Sequence, residues 1–265
     1  MAIVTISRGT FAGGARLAAL LGQRLGYATV SREDLYSRVR EDHNVTQEDL
    51  VQIMTWAPTR FDPAADRRRR LFAAIQASLC ALLKDDDAVY HGHAGHLLLP
   101  DVSHVVRVRL IAPRAQRIEM AMERDGVSSR QASSRIDQVD SERARWTEFV
   151  FGANWADPSH YDLVLNLERV SLEEAAEIMC RVVEQPVFRA TAASRRRLEA
   201  LTRTSAALAH LLADPNTAGL DLKVDADDQG IVIKGLTDRR RRDAVLEVAR
   251  RAGNLGLITV LEPET

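Results

Sequence analysis

The hydrophobic pattern at the start of the chain predicts a strand, a loop and a helix in quick succession. Apolar residues dominate positions 2–6, and glycines punctuate positions 7–14. A helix is expected over 15–25 and a short strand near 27–30. A strand that enters a glycine-bearing loop and then a helix usually builds an anion site, because loop N–H groups and the helix N-terminus attract the same anion.

Hydrophobic periodicity predicts further strands and helices that alternate along the chain up to residue 183. Strands are predicted at 88–91, 105–111 and 161–166, a loop at 54–66, and helices at 32–50, 67–83, 113–123, 129–146 and 171–183. Thr46 is a good N-cap within 32–50, with Asp49 three residues on, and Ser171 opens a capping box. Strands separated by helices favour an α/β fold with a doubly wound parallel sheet.

Composition changes at 185–197, where Pro186 ends a helix and alanine, serine and arginine follow. This stretch is interpreted as a linker between a domain at 1–184 and a second at 198–265. The second domain is predicted to be a small α-β-β-α-β unit, with helices at 198–212 and 238–252 and strands at 222–225, 231–236 and 257–261.

Composition narrows the class of protein. The 265 residues are 46% hydrophobic and 28% charged, with a formal net charge of −1. This balance fits a globular protein and gives no global basic field for nucleic acid, so no nucleic-acid partner is expected. Cys80 and Cys180 lack metal spacing, and no apolar run approaches the roughly 20 residues that span a bilayer. With no leader-like N-terminus, a cytoplasmic location is expected.

The loop at 7–16 carries the first candidate chemistry. Gly9 and Gly14 have the spacing of a phosphate loop, but Ala15 stands where the lysine belongs and Arg16 where a hydroxyl belongs. Arg8 and Arg16 can supply the missing charge, since guanidinium binds phosphate in a bidentate manner. The alternative is a tight strand–helix turn with no ligand.

Three histidines, His91, His93 and His96, follow the strand at 88–91. They resemble a metal cluster, but no nearby carboxylate or cysteine completes the ligand set, and no metal site is assigned. Ligands bind at the carboxyl ends of parallel strands, so contacts to substrate are one alternative. Ordinary loop histidines are the other.

Asp137, Asp140 and Arg143 recur at i, i+3 and i+6 on the helix predicted at 129–146. Such a row is typical of an ion-pair face. The alternative is a mobile lid that brings arginine to transferring phosphates. The arginine runs at 67–70, 195–197 and 239–242 are interpreted as solvated helix faces.

Several segments together resemble the cytidylate-kinase-like family of P-loop nucleoside monophosphate kinases, over residues 1–183. The matching segments are IVTISRGTFAGGAR (3–16), ATVSRE (28–33), VYHGHA (89–94), VRVRLIAPRAQRIEMAM (106–122), the D-x-x-D-x-x-R row at Asp137, Asp140 and Arg143, and NWADPSHYDLVLNLERVSLEEA (154–175). The resemblance implies a P-loop kinase fold with a helical lid. It also implies ATP- and Mg²⁺-dependent phosphoryl transfer to a nucleoside monophosphate such as CMP or dCMP.

The resemblance also implies site residues. The ATP phosphates would be held by Arg8, Gly9, Gly13, Gly14, Ala15 and Arg16. The acceptor nucleotide would be bound by Arg32, His93, Asp137 and Asp140. Catalytic roles would fall to Arg16, Asp140 and Arg143.

Departures from the family pattern support an alternative function. The loop lysine is absent, His93 replaces an arginine, and Ile136 stands where an arginine precedes the lid row. Phosphoryl transfer depends on positioning and charge neutralisation, so these losses favour a catalytically inactive nucleotide sensor or interaction scaffold. A dinucleotide-binding fold is disfavoured, because the loop lacks G-x-G-x-x-G spacing.

The C-terminal segment resembles the BON domain. LAHLLADP (208–215), GIVIKG (230–235) and ARRAG (249–253) carry this resemblance. It implies contact with a protein or phospholipid partner, or a regulatory or dimerising role, so a homo-oligomer is one expectation.

Overall fold

The computed structural model describes residues 2–43, 45–50, 65–227, 229–236 and 238–261. Its strands are β1 (Ile3–Arg8), β2 (Ala28–Ser31), β3 (Ala88–His91), β4 (Val105–Ile111), β5 (Leu163–Asn166), β6 (Lys223–Ala226), β7 (Gly230–Lys234) and β8 (Leu257–Val260). Its main helices are α1 (Gly14–Leu25), α2 (Arg32–His43), α3 (Ala65–Leu83), α4 (Gly95–Leu98), α5 (Arg114–Asp125), α6 (Ser129–Phe151), α7 (Leu172–Val183), α8 (Ala192–Ala213) and α9 (Arg242–Arg250).

The chain forms two compact units that do not follow chain order. Unit 1 contains the described residues of Met1–Asp34 and Asp85–Thr191. Unit 2 contains the described residues of Leu35–Ile53, Thr59–Lys84 and Ala192–Thr265. Unit 2 therefore includes most of α2 and all of α3, although both helices precede the linker predicted at 185–197.

Unit 1 is built on a five-stranded parallel sheet with the order β2-β3-β1-β4-β5. β1 lies in the middle, with Ile3 opposite Ala88 on one side and Val105 on the other. Its first five residues are buried, as expected for a strand covered on both faces. Ile6 faces a core shared with α1 and α7. This is a doubly wound α/β fold on a parallel sheet, and it confirms the predicted fold class.

Unit 2 has a small sheet of its own. β7 is central, antiparallel to β6 and parallel to β8. Ile231 and Ile233 of β7 belong to a core that also holds Leu211 of α8 and Val245 of α9. Gly230 is required where β7 meets β8, because a Cβ there would collide with the backbone of Leu257.

Most predicted elements are confirmed, and the differences have local causes. The predicted linker is partly helical: α8 begins at Ala192, six residues before the expected start, after a 3₁₀ turn at Pro186–Phe188. The polar helix expected at 32–50 ends at 43 and resumes at 47, with Thr46 and Asp49 forming the predicted capping box. The helix predicted at 129–146 continues to Phe151, because no residue stops it before left-handed Gly152.

The loop predicted at 54–66 lies outside the described residues, apart from its last two positions, which are helical. Among the described helices, none combines the length and apolar character that crossing a membrane requires.

Candidate functional site

The loop between β1 and α1 is the centre of the candidate site. Gly13 precedes α1 in the left-handed conformation at φ 81°, and no side chain caps this end of the fully described helix. Phe11, in the middle of the loop, also has a positive φ of 61°. The first N–H groups of α1 consequently remain available to an anion, and the helix dipole favours negative charge there.

A cavity of about 930 Å³ opens over this loop, within unit 1. Six arginines line it: Arg8, Arg16, Arg32, Arg124, Arg135 and Arg143. The carboxylates among its lining residues are Glu33 and Glu123. Cationic side chains outnumber anionic ones by six to two, so the cavity attracts polyanions such as nucleotide phosphates.

Arg8, the last residue of β1, extends across the start of α1. A Cβ at position 14 would lie 2.8 Å from Arg8 Nε, so Gly14 is the residue that leaves room for this side chain. Arg8 Nη1 is buried without a hydrogen-bond partner in the described chain. Burial, followed by the charge of Arg32, lowers the pKa of Arg8. A partly buried cation beside other cations favours a bound anion.

Asp140 of α6 is hydrogen-bonded to the loop. One carboxylate oxygen accepts from the Thr10 N–H at 3.0 Å and from the Thr10 hydroxyl at 2.7 Å, and the other pairs with Arg117. Arg117 Nε also donates to the Thr10 carbonyl at 2.8 Å, and its guanidinium lies over Gly9. Asp140 and Arg117 therefore hold α5, α6 and the loop together.

Arg143 joins the same network from the next turn of α6. Its Nη1 donates to Thr10 Oγ1 at 3.0 Å and to the Arg8 carbonyl at 3.3 Å. Arg143 is buried, yet it lines the cavity. Of the row interpreted as a lid or an ion-pair face, two members thus contact the loop. The third, Asp137, pairs with Arg114 outside the cavity lining.

His93 lies in an aromatic environment and is absent from the cavity lining. Its Nε2 is 2.9 Å from Thr147 Oγ1, and its ring contacts Trp146 and Trp155, with centroids 5.2 and 5.8 Å away. Burial lowers the pKa of His93 well below its ordinary value. Among the residues proposed for the acceptor, Arg32 is the one whose side chain lines the cavity directly.

The three histidines after β3 do not gather around one point. His91 lines the cavity, His93 packs among tryptophans, and the His96 ring lies 4.5 Å from that of Tyr161. Within the described ranges, no three histidine, cysteine or acidic side chains could share a metal ion.

Sequence reasoning missed several members of the site. Phe11 lies beneath Arg124, whose guanidinium carbon is 4.3 Å from the ring centroid, and Arg135 is 5.8 Å away. Both arginines pair with Asp125 near the end of α5. No local spacing indicates these contacts, because Phe11 and the arginines are more than 100 residues apart in the chain. Arg117 was within a matched segment, but nothing there pointed to Gly9.

The chain belongs to the cytidylate kinase-like family, which residues 3–169 match. It is similar to the cytidylate kinase of Methanopyrus kandleri, with 24% identity over 69% of this chain and 93% of that protein. A cytidylate kinase of Methanoregula boonei is 20% identical over 69% of this chain and 94% of that protein. An uncharacterized protein from Eubacterium ventriosum shares the fold, with a TM-score of 0.54 and 16% identity over 70% of this chain and 99% of that one.

Family membership supports nucleotide kinase-type phosphoryl transfer as the class of reaction. The arginine-lined cavity over the loop lies within the matched residues, apart from Val170, Ser171 and Leu172 at its border.

Proposed function

We propose that this protein transfers a phosphoryl group from ATP to a nucleoside monophosphate, with CMP or dCMP as the acceptor. One observation carries the proposal: arginines from β1, α1, α2, α5 and α6 converge on one cavity at the uncapped N-terminus of α1. Phosphoryl transfer is catalysed largely by positioning and by neutralising charge on the phosphates, and such a cavity can do both. The choice of cytidylate is supported by the names of the two relatives.

The ATP phosphates would be bound by the loop Gly9, Gly13, Gly14 and Ala15, with Arg8 and Arg16 supplying positive charge. The cavity fits this role, because its arginines outnumber its carboxylates and the first residues of α1, whose N–H groups no described side chain caps, line it. Arg32, at the start of α2, would contact the acceptor phosphate.

Mg²⁺ would be held mainly by phosphate oxygens and water, as is usual for this ion, and it would neutralise charge on the transferred group. Arg16 has no oxygen to offer it. Glu123 and Glu33 line the cavity, and Glu33 is already paired with Arg32.

Asp140 and Arg143 would act together on the loop. Arg143 would neutralise phosphate charge from the cavity wall, while Asp140 would keep Thr10 and Arg117 in place. Their shared contacts to Thr10 support this division of roles.

The test is an ADP-release assay with ATP, Mg²⁺ and each nucleoside monophosphate in turn. We expect turnover with CMP or dCMP, and its loss in Arg143→Ala. Arg145→Ala is the matched control, since Arg145 is an exposed residue of the same helix outside the cavity lining. ATP binding without turnover for any acceptor would contradict the proposal.

We propose as the alternative a catalytically inactive nucleotide sensor or scaffold that acts through the C-terminal BON-like segment. It is supported by the absence of the loop lysine and by Asp140, whose carboxylate already occupies the Thr10 N–H and hydroxyl. This alternative predicts a thermal shift with ATP, no ADP release, and a protein or phospholipid partner for residues 198–265. Light scattering at several concentrations would test for a homo-oligomer.

A further inference from the structure

We infer that Arg8, together with His91, forms the phosphate contact that replaces the loop lysine. This inference rests on the proposed function and deepens it, because it assigns the replacement to Arg8 rather than Arg16 and adds His91, which the family resemblance does not assign.

The first support is the way Arg8 is held. Its side chain crosses the first turn of α1, in space that exists because position 14 is glycine. The guanidinium thus lies beside the uncapped helix N-terminus, where a phosphate binds most readily. Arginine can bind two phosphate oxygens at once, so it can serve there in place of lysine.

The second support is an unmet hydrogen-bonding requirement of two residues that line the cavity. Arg8 Nη1 and His91 Nδ1 are both buried, and neither has a hydrogen-bond partner in the described chain. Both residues line the same cavity. Because buried polar atoms are nearly always hydrogen-bonded, two such atoms in one cavity indicate a ligand that bonds to both.

Strand order explains why the two residues line the same cavity. β3 lies between β1 and β2, and His91 is opposite Ser31 of β2. Arg8 ends β1 and Arg32 follows β2, so three adjacent strands each bring a polar side chain to the same edge of the sheet. Ligands bind at this edge in parallel α/β sheets.

The other cavity arginines are already engaged. Arg32 pairs with Glu33, Arg124 and Arg135 both pair with Asp125, and Arg143 donates to Thr10. Arg8 and Arg16 remain, and Arg16 is exposed on α1 whereas Arg8 is partly buried and its Nη1 atom is fully so. Charge in a buried position is screened less by water and salt, so Arg8 contributes more to phosphate binding.

The experiment measures binding of inorganic pyrophosphate and of a non-hydrolysable ATP analogue by calorimetry, with the full-length protein. Arg8→Met removes the charge and keeps most of the side-chain volume, Arg8→Lys keeps the charge, and Arg16→Met tests the competing position. Arg130→Met is the control, because Arg130 is exposed on α6 outside the cavity lining.

We expect Arg8→Met to weaken both ligands by roughly tenfold or more, as for loss of a charged hydrogen bond. Arg8→Lys should recover part of the affinity. In Arg16→Met the affinity should fall by less than about threefold relative to the unaltered protein. Binding by Arg8→Met should also depend less on salt concentration, since one cation fewer meets the phosphates. Arg8→Gln serves as a second neutral variant if Arg8→Met does not fold.

His91 is tested by His91→Leu and His91→Asn. Leucine removes the ring nitrogen, whereas asparagine can place a polar atom near the same position. We expect affinity to fall with leucine and to recover with asparagine, at equal melting temperatures. A purely structural role would instead lower the melting temperature and leave the affinity of the folded protein unchanged.

The outcomes separate this inference from the proposed function. If the unaltered protein binds neither probe, the proposed function itself fails. A different outcome is that the unaltered protein binds both probes, Arg8→Met binds them with the same affinity, and Arg16→Met has lost affinity. In that case the proposed function stands and the role assigned to Arg8 is wrong.

Discussion

The two units treat their polar side chains differently. In unit 1, His91, His93, His96 and His104 are partly or fully buried, and each keeps at least one buried ring nitrogen without a hydrogen bond in the described chain. In unit 2, Ser78 Oγ is also buried without a hydrogen bond to a described residue, but the charged groups near the small sheet pair at the surface, as in the Lys234–Asp225 and Arg251–Asp214 bridges at 2.7 and 2.9 Å.

The difference follows from the type of sheet. A parallel sheet covered by helices gathers loop residues at the carboxyl edge of its strands, where a ligand can complete their hydrogen bonding. The three short strands of unit 2 form a mixed sheet around a compact apolar core. Arg8 and His91 line the cavity of unit 1, and each has a buried atom without a hydrogen-bond partner in the described chain, so nucleotide chemistry is expected in unit 1.

The largest expected effect comes from opening a cavity in each core separately. Leu17 of α1 and Ile233 of β7 are both fully buried. Leu17→Ala or Ile233→Ala should cost about 2–5 kcal/mol of stability in its own unit. Hydrogen exchange by mass spectrometry should show faster exchange at β1 and β4 for the first and at β6–β8 for the second.

ATP affinity of folded Ile233→Ala should stay within about twofold, since apolar core changes act locally. A large loss of affinity would mean that unit 2 contributes to the site.

Acid should destabilise unit 1 through its buried imidazoles. Burial lowers the pKa of His96 to about 3 and that of His93 in the same direction. Between the ordinary pKa near 6.5 and the lowered pKa of each histidine, the unfolded chain takes up protons that the folded chain does not. The free energy of unfolding should thus fall with decreasing pH, by about 1.4 kcal/mol per unit for His96 once the pH is below about 6.

Denaturant titrations at pH 7 and pH 5, followed by tryptophan fluorescence, would measure this, because Trp146 and Trp155 both lie in unit 1. His96→Phe should reduce the loss on acidification. An equal loss in both proteins would show that His96 is not responsible.

The contacts of Asp140 can be tested by comparing the stability of two variants within unit 1. Asp140→Asn removes the charge that joins Thr10 and Arg117, and we expect a loss of about 1.5–3 kcal/mol, typical of a charged hydrogen bond. Asp137→Asn, one turn earlier, is the matched control, because Asp137 pairs with Arg114 at the surface. That variant should lose much less stability, because an ion pair between exposed side chains contributes little. Melting curves that rank the two variants in the opposite order would contradict the role given to Asp140.

The smallest expected effect compares one helix cap from each unit. Ser171 and Thr46 both form capping boxes, with Glu174 and Asp49. Ser171→Ala and Thr46→Ala should each cost about 1 kcal/mol. Amide hydrogen exchange should become faster in α7 for Ser171→Ala and at residues 47–50 for Thr46→Ala. Thr46→Ser should keep the stability that Thr46→Ala loses. An equal loss in Thr46→Ser would argue against a capping effect.

Local patterns predicted the elements well where a local signal exists. The strands 88–91 and 105–111 match their predicted bounds, because apolar and β-branched runs between turn signals define short strands. Capping pairs located the restart at Thr46 and the start of α7. The start of α8 was missed, because alanine and arginine after Pro186 favour helix and linker alike.

The candidate site was only partly predictable. Glycine spacing located the loop at 9–14, and motif resemblance found the row that includes Asp140 and Arg143. Spacing could not reveal that Asp140 bonds to Thr10, 130 residues earlier, or that His93 turns toward tryptophans rather than the cavity.

The sequence by itself determined the α/β class, the glycine-bearing loop after the first strand and the family, because these depend on periodicity, turn residues and motifs that are close in the chain. Only the tertiary structure decided that α3 belongs with the C-terminal unit, that Arg8 crosses Gly14, and that arginines from five elements share one cavity. The reason is physical: strand order and helix packing bring distant residues together, and no local propensity encodes which long side chain will occupy a given space.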